Sequence, residues 1–235
     1  MCNNDVCKKN DLLVKKGLKS KSQLIAETLY KRKKRSSKVL DIGYAQQPNN
    51  FLEGIIYGVD IADTDRPKNY TQVDRVDLNT CSLPYKDGEF DAVTMGCVLA
   101  HISNPLGLLV ELHRVIKPDG IIVLSTPNPN YYWEQCLNVF FNFFKDRVAK
   151  VKFEEHFYEF TRYNMRTIAG HAGFKVTDEV GVSFHVVKLG WSFQPVNYPG
   201  IAYEIIYVLE KDGQPKNYTI CELPEGNVKF ETKIS

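Results

Sequence analysis

The chain has no apolar run long enough to cross a bilayer, and its start, MCNNDVCKKNDLL, holds no apolar signal-peptide core. Both absences lead to the expectation of a cytoplasmic protein. The six cysteines, Cys2, Cys7, Cys81, Cys97, Cys136 and Cys221, form no CxxC pair and no Cys/His cluster at zinc-binding spacing. They read as reduced, partly buried thiols, and no carboxylate/His constellation argues for a metal. Two Asn-Tyr-Thr triplets, at Asn69 and Asn217, match a glycosylation pattern that has no use without secretion. Internal repeats are lacking, and low complexity is confined to a basic arm.

At 235 residues the chain suits one generous domain, and its 43% hydrophobic and 25% charged residues are ordinary for a soluble globular protein. The net charge of +2 hides an asymmetry. Residues 1–38 carry twelve Lys/Arg against Asp5, Asp11 and Glu27, while the remainder carries 18 basic and 25 acidic residues. Such an arm suits an anionic partner, nucleic acid among them, although a run such as Lys31–Arg35 is more often a solvated helix end. A helix is predicted from Lys21 to Lys34, capped by Ser20 or Ser22 and closed by that basic run.

Beyond Lys38 the pattern changes to short apolar strands alternating with helices. Strands are predicted at Lys38–Gly43, Ile55–Ile61, Thr71–Leu78, Phe90–Cys97 and Ile121–Ser125, the third near a sheet edge because its residues alternate. Pro105–Ile116 reads as an amphipathic helix stopped by Lys117-Pro118-Asp119-Gly120. Later come an aromatic segment, Tyr131–Lys150, read as a helical lid within about 129–160, then a helix over Asn164–Gly173. Strands over Lys175–Val182 and Ile201–Leu209 follow, joined by a Gly/Pro-containing insertion, and a tail from residue 214 that adds a hairpin or wanders. The arm and helix occupy 1–36 and the main domain 37–213. This order predicts an α/β, doubly wound, mostly parallel sheet with helices on both faces.

In such a sheet, ligands bind at the carboxyl ends of the strands where strand order reverses. Three polar features fall there: Asp41 and Gly43 after the first strand, Asp60 after the second, and Asp77-Leu78 after the third. Asp41 and Asp60 stand 19 residues apart, a spacing that suits a carboxylate on the two ribose hydroxyls of an adenosine ligand. Any one of these is weak evidence, since strand ends often carry Asp as a helix cap.

Taken in order, Val39-Leu-Asp-Ile-Gly43, Tyr57-Gly-Val-Asp60-Ile61, Leu83-Pro-Tyr-Lys-Asp-Gly-Glu-Phe90-Asp91, Val98-Leu-Ala-His101-Ile and Leu112-His-Arg-Val-Ile-Lys-Pro-Asp-Gly120 resemble class I S-adenosylmethionine-dependent methyltransferases. The resemblance covers residues 36–128 and extends weakly to Glu155–Thr161 and Ala172-Gly-Phe174. It implies a Rossmann-like sheet of seven strands, the last antiparallel. It also implies S-adenosylmethionine contacts at Asp41, Gly43, Tyr44, Ala45, Asp60, Ile61, Asp77 and Leu78, with Met95 and Gly96 lining the pocket. Glycines that the family places after the first strand are replaced by Ala45 and Gln47, and the stretch to Ile55 is too short for a full helix. Both departures resemble members found beside glycan-assembly enzymes, which implies O-methylation of a sugar or sugar-linked metabolite. Alternatives are another small molecule such as a quinone precursor, RNA, or a silent binding module.

A hydroxyl acceptor benefits from a general base. His101, just past the fourth strand, and His156, after the aromatic segment, are the candidates. His113 and His171 read as capping or packing residues. Asn128, Asn130, Tyr131 and Tyr132 follow the fifth strand as candidate substrate contacts. Phe140, Phe141, Phe143 and Phe144 form an apolar patch that suits burial, a homodimer contact or a membrane-borne acceptor. No Asn/Asp-Pro-Pro-aromatic tetrad follows the fourth strand, which disfavours a nitrogen acceptor.

Overall fold

The computed structural model describes residues 17–80, 82–131, 158–186, 191–216, 219–222 and 228–231. The aromatic segment from Tyr132, with Phe140–Phe144 and His156, and the arm before Gly17 lie outside the described residues.

The chain enters through α1 (Lys21–Tyr30), whose N-terminus is capped by Ser20 accepting from the Gln23 amide. Leu24, Ile25 and Leu29 are buried by helical spacing against Val39, Ala92, Ile121 and Val123, so the helix shares the core of the sheet. It ends at Tyr30, before the basic run, because Tyr30 Oη is held between the Glu53 carbonyl and amide at 2.8 and 2.6 Å. The predicted basic last turn is therefore absent. Arg32 instead pairs with Asp178 at 2.8 Å, Lys33 with Asp119 at 3.1 Å, and Arg35 with Glu53. Three charges of the Lys31–Arg35 run are thus spent on acids of the body.

Strands β1 (Lys38–Ile42), β2 (Ile55–Asp60), β3 (Gln72–Arg75), β4 (Phe90–Gly96) and β5 (Ile116–Pro127) pair in parallel, with β3 at the edge. Between β4 and β5 runs α2 (Pro105–Val115), capped by Asn104 on the Gly107 amide and opened by a proline at its first position. Near-continuous burial along β1 and β4 reflects cover on both faces. Leu40 and Ile42 face the core under α2, and Val39, just before them and on the opposite face, faces α1.

The second half adds α3 (Arg162–His171), β6 (Phe174–Val186), β7 (Trp191–Phe193) and β8 (Glu204–Lys211). Helix α3 starts at Arg162, earlier than predicted, because Thr161 caps it on the Asn164 amide. The sheet order is β3-β2-β1-β4-β5-β8-β6-β7, with β8 antiparallel to β5 and β6. The last strand of this sheet is thus antiparallel, as the resemblance implies, but the strands number eight rather than seven. The extra one arises because β6 runs on to Val186 and folds back on β7 within the Gly/Pro-containing insertion. Separately, β9 (Thr219–Glu222) and β10 (Val228–Glu231) pair antiparallel. No helix among the described residues is long and apolar enough to cross a membrane.

Candidate functional site

The carboxyl ends of β1, β2 and β4 and the first turn of α1 enclose a crevice of about 630 Å³, within the range of small-molecule sites. Order reverses there, since β1 sits between β2 and β4. Of the predicted contacts, Asp41, Gly43, Asp60, Ile61, Asp77, Leu78, Gly96 and His101 line it. Lys21, Ser22, Ile25, Asn49, Cys97 and Val98 line it as well.

Gly43 closes β1 with φ of 76°, and a methyl group at its Cα would sit 2.2 Å from Val98 Cγ2. The glycine is thus required both by its left-handed backbone and by the approach of the β4 turn. Positions 45 and 47 make no such demand. Cys97, with φ of 60°, is the only non-glycine residue at positive φ among the described residues, so Ala45 and Gln47 keep ordinary backbone. Gln46 and Gln47 are exposed on the crevice rim, and Tyr44 turns away to pack on Tyr70 with ring centroids 5.5 Å apart. The crevice is therefore open where a bulky replacement for glycine could have filled it.

Polar clamps replace the missing helix between β1 and β2. Asn49 donates from its side chain to the Ser22 carbonyl at 3.0 Å and from its amide to Tyr70 Oη at 3.0 Å. Asn69 donates to the carbonyls of Asn49 and Leu52, both at 3.1 Å. The first Asn-Tyr-Thr triplet therefore serves this loop. Sequence reasoning missed Asn49 and Tyr70, whose partners lie far along the chain.

Asp60 accepts from the Ala45 amide at 3.1 Å and the Ala62 amide at 2.9 Å, so its carboxylate is oriented before any ligand arrives. Ala45 acts through this bond rather than by lining the crevice. Asp77 is exposed and accepts from the Asn79 amide at 3.0 Å; Asn79 in turn accepts from Ser103 at 2.9 Å, tying the β3 end to the β4 turn. Leu78 is buried beside it. Met95 is fully buried in the core and does not reach the crevice.

Asp41 is 6% exposed and accepts from Tyr70 Oη and, at 2.7 Å, from Thr94 Oγ1. Burial pushes its carboxyl up to about 6, against the pull of those two hydroxyls. Tyr70 Oη is held well above the ordinary phenol range, chiefly by burial and then by the Asp41 charge.

At the opposite end Lys21, 5% exposed, reaches the β8 carboxylate Glu204, Nζ to Oε1 3.4 Å. The same Oε1 accepts from Ser125 Oγ at 2.7 Å and Cys97 Sγ at 2.8 Å. Burial, then the Glu204 charge, raises the Cys97 thiol far above its usual range, which suits a hydrogen-bond donor rather than a nucleophile. This cluster also escaped the sequence reading, because its members come from α1, β4, β5 and β8 and carry no shared spacing.

The exposed His101 stands on the rim in the short turn Leu99–His101. The candidate substrate contacts after β5 lie elsewhere. Asn128 is buried, with its amide group donating to the carbonyls of Gly200 at 3.2 Å and Ala202 at 2.8 Å. Tyr131 is buried edge-on against Phe184 and Tyr203, and Asn130 is exposed away from the crevice lining. Tyr132 and His156 lie outside the described residues. His113 packs edge-on to Phe174, with its ring nitrogen 3.0 Å from the Gly213 carbonyl.

The sheet order, the antiparallel β8 and a crevice at the β1/β4 switch point define the fold of class I S-adenosylmethionine-dependent methyltransferases. The chain belongs to the methyltransferase-domain family, whose profile matches residues 16–179. It is 31% identical over 139 residues to a demethylmenaquinone methyltransferase of Staphylococcus saprophyticus, covering 52% of this chain and 60% of that one. It thus spans less than two thirds of that relative's length. Among solved structures it is similar to a Burkholderia thailandensis 1,6-didemethyltoxoflavin-N1-methyltransferase with bound 1,6-didemethyltoxoflavin and S-adenosylhomocysteine. That likeness has a TM-score of 0.56 at 16% identity, covering 81% and 78% of the two chains. A [4+2]-cyclase, SpnF, has the same fold at a TM-score of 0.53 and 18% identity, covering 82% and 80%. The fold alone therefore does not name the reaction.

Proposed function

We propose that the chain binds S-adenosylmethionine in the β1/β4 crevice and transfers its methyl group to a small-molecule hydroxyl oxygen. The observation that carries this reading is Asp60, a carboxylate at the tip of β2 fixed by two backbone amides on the crevice that Gly43 also lines. Those residues fit the ligand: a carboxylate for ribose hydroxyls, a glycine floor and a buried acid, Asp41, facing a cation. S-adenosylmethionine supplies an activated methyl on a sulfonium, so the protein has to hold, align and shield rather than perform difficult chemistry.

In this assignment Asp60 accepts from the ribose, Asp77 and Leu78 flank the base, and Gly43 and Gly96 let the backbone approach. His101 takes the proton from the acceptor oxygen at the rim, with His156 as the alternative base. The acceptor class follows from two unequal supports. The truncated loop after β1 resembles glycan-associated members and favours a sugar-linked hydroxyl; the demethylmenaquinone methyltransferase relative favours a quinone precursor.

Calorimetry with S-adenosylhomocysteine tests the first part. Wild type is expected to bind, and Asp60→Ala to bind about 10- to 100-fold more weakly for the lost charge-assisted hydrogen bonds. An absence of heat with wild type at high protein concentration defeats the reading. Turnover with labelled donor against sugars, quinols and phenols tests the second part. His101→Ala is expected to lose about 100-fold or more in kcat with unchanged S-adenosylhomocysteine affinity. Unaltered kcat removes His101 as the base.

A further inference from the structure

The crevice carries acids on the β1, β2 and β3 ends, yet a buried ammonium faces it from the other side. Lys21 is the only Lys or Arg among the described lining residues. A methyl group at Gly96 would lie 3.9 Å from its Nζ, which places the ammonium over the β4 end. Behind it stands Glu204, both side chains being about nine-tenths buried or more, at 6% and 7% exposure. Desolvating two charges costs several kcal/mol per ion, and a well-packed apolar pair generally serves stability as well. Their separation, 3.4 Å, is longer than a tight charge-assisted bond, and Glu204 Oε1 also accepts from Ser125 and Cys97. The first turn of α1, through Lys21, Ser22 and Ile25, brings the positive end of the helix dipole to the same wall.

We propose that Lys21, braced by Glu204 across the end of β4, is the oxyanion anchor of the crevice and holds a carboxylate or comparably anionic oxygen of a bound ligand. This rests on the methyl-donor reading. The anion has two possible sources: the amino-acid carboxylate of the donor, or an acidic oxygen of the acceptor.

Two nucleosides separate them. S-adenosylhomocysteine carries the amino-acid group, and 5′-methylthioadenosine has the same nucleoside and thioether without it. Wild type is expected to prefer the former, and Lys21→Met to lose about 10- to 100-fold toward it with methylthioadenosine unchanged, if the donor carboxylate is held. If the acceptor supplies the anion, both nucleosides bind Lys21→Met normally. Salicylate, titrated into protein saturated with S-adenosylhomocysteine, then binds wild type and fails to bind the variant. Lys21→Arg, which keeps the charge, is expected to restore most of whichever affinity is lost. Should Lys21→Met fold poorly, Lys21→Met/Glu204→Leu removes both charges together and gives the same readout. Unchanged affinity for all three probes in a folded variant overturns the anchor. Failure of wild type to bind either nucleoside overturns the methyl-donor reading instead.

Discussion

Asp41→Asn is expected to raise the thermal midpoint near neutral pH and to weaken binding of S-adenosylhomocysteine at the same time. The Asp41 carboxyl is buried against Thr94 and Tyr70, and burial lifts it from 3.8 to about 6. In the folded chain it therefore keeps a proton that the unfolded chain has already released. Its contribution to stability is fully present below about pH 4, is lost as pH rises through about 6, and is flat above. Ionising it inside the fold costs about 3 kcal/mol, taking 1.36 kcal/mol for each unit of raised pKa. Asparagine does not ionise. The difference in midpoint between variant and wild type should grow from pH 4 to 6 and then level off, less whatever the new amide loses against the two hydroxyls. The wild-type carboxylate faces the crevice, where a cationic ligand favours its charged form. Affinity for S-adenosylhomocysteine, whose amino group is charged, should thus fall below pH 6 in wild type and stay level in Asp41→Asn. Differential scanning fluorimetry and calorimetry between pH 4.5 and 8 check both statements. Parallel affinity profiles for the two proteins would remove Asp41 from the cation's surroundings.

That acid was visible in the sequence, and so was much of the sheet around it. The runs at Val39, Ile55, Phe90 and Ile121 are apolar on both faces, and only a strand covered on both sides buries most of such a run, with Ile55 left exposed at the start of β2. Each ends in Asp, Gly or Ser, so the polar tips of the crevice could be placed by counting. The end of α1 could not. Helical spacing continues into Lys31–Arg35, but bonds from Tyr30 to Glu53 and ion pairs from Arg32 and Lys33 to distant acids turn the chain away. Propensity lost to tertiary contacts.

The same physics misled the reading of Asn128 and Tyr131. A polar, aromatic run after a strand suggests ligand contacts, yet Asn128 satisfies the carbonyls of Gly200 and Ala202, and Tyr131 fills space against Phe184. Buried polar groups need partners, and backbone carbonyls of a returning loop serve as well as a substrate. The insertion supplying that loop also supplies the eighth strand. Its sequence carried turn signals without indicating which edge it would join. Conversely, Lys21 looked like one more residue of a basic arm, and nothing local to it or to Glu204 marked the pair.

Removing Glu204 is expected to produce the largest loss of stability of any single change at the site. In Glu204→Leu the Lys21 ammonium remains in a wall where it is only 6% exposed, with its buried carboxylate gone. Ser125 Oγ and Cys97 Sγ lose their shared acceptor at the same stroke. Breaking a buried pair from one side typically costs about 3–5 kcal/mol, because the remaining charge stays desolvated after its carboxylate is removed. The Cys97 thiol adds to that unless water reaches it, while Ser125 Oγ still has Cys97 Sγ at 3.8 Å as an acceptor. For a chain of this size the midpoint should fall by roughly 2–4 °C for each kcal/mol. Lys21→Met/Glu204→Leu should recover much of the loss, since removing both charges leaves neither stranded, and the excess of the double variant over the sum of the singles measures the coupling. Urea titrations of the four proteins provide the cycle. A Glu204→Leu loss below about 1 kcal/mol would mean that Glu204 is not what compensates the buried Lys21 charge.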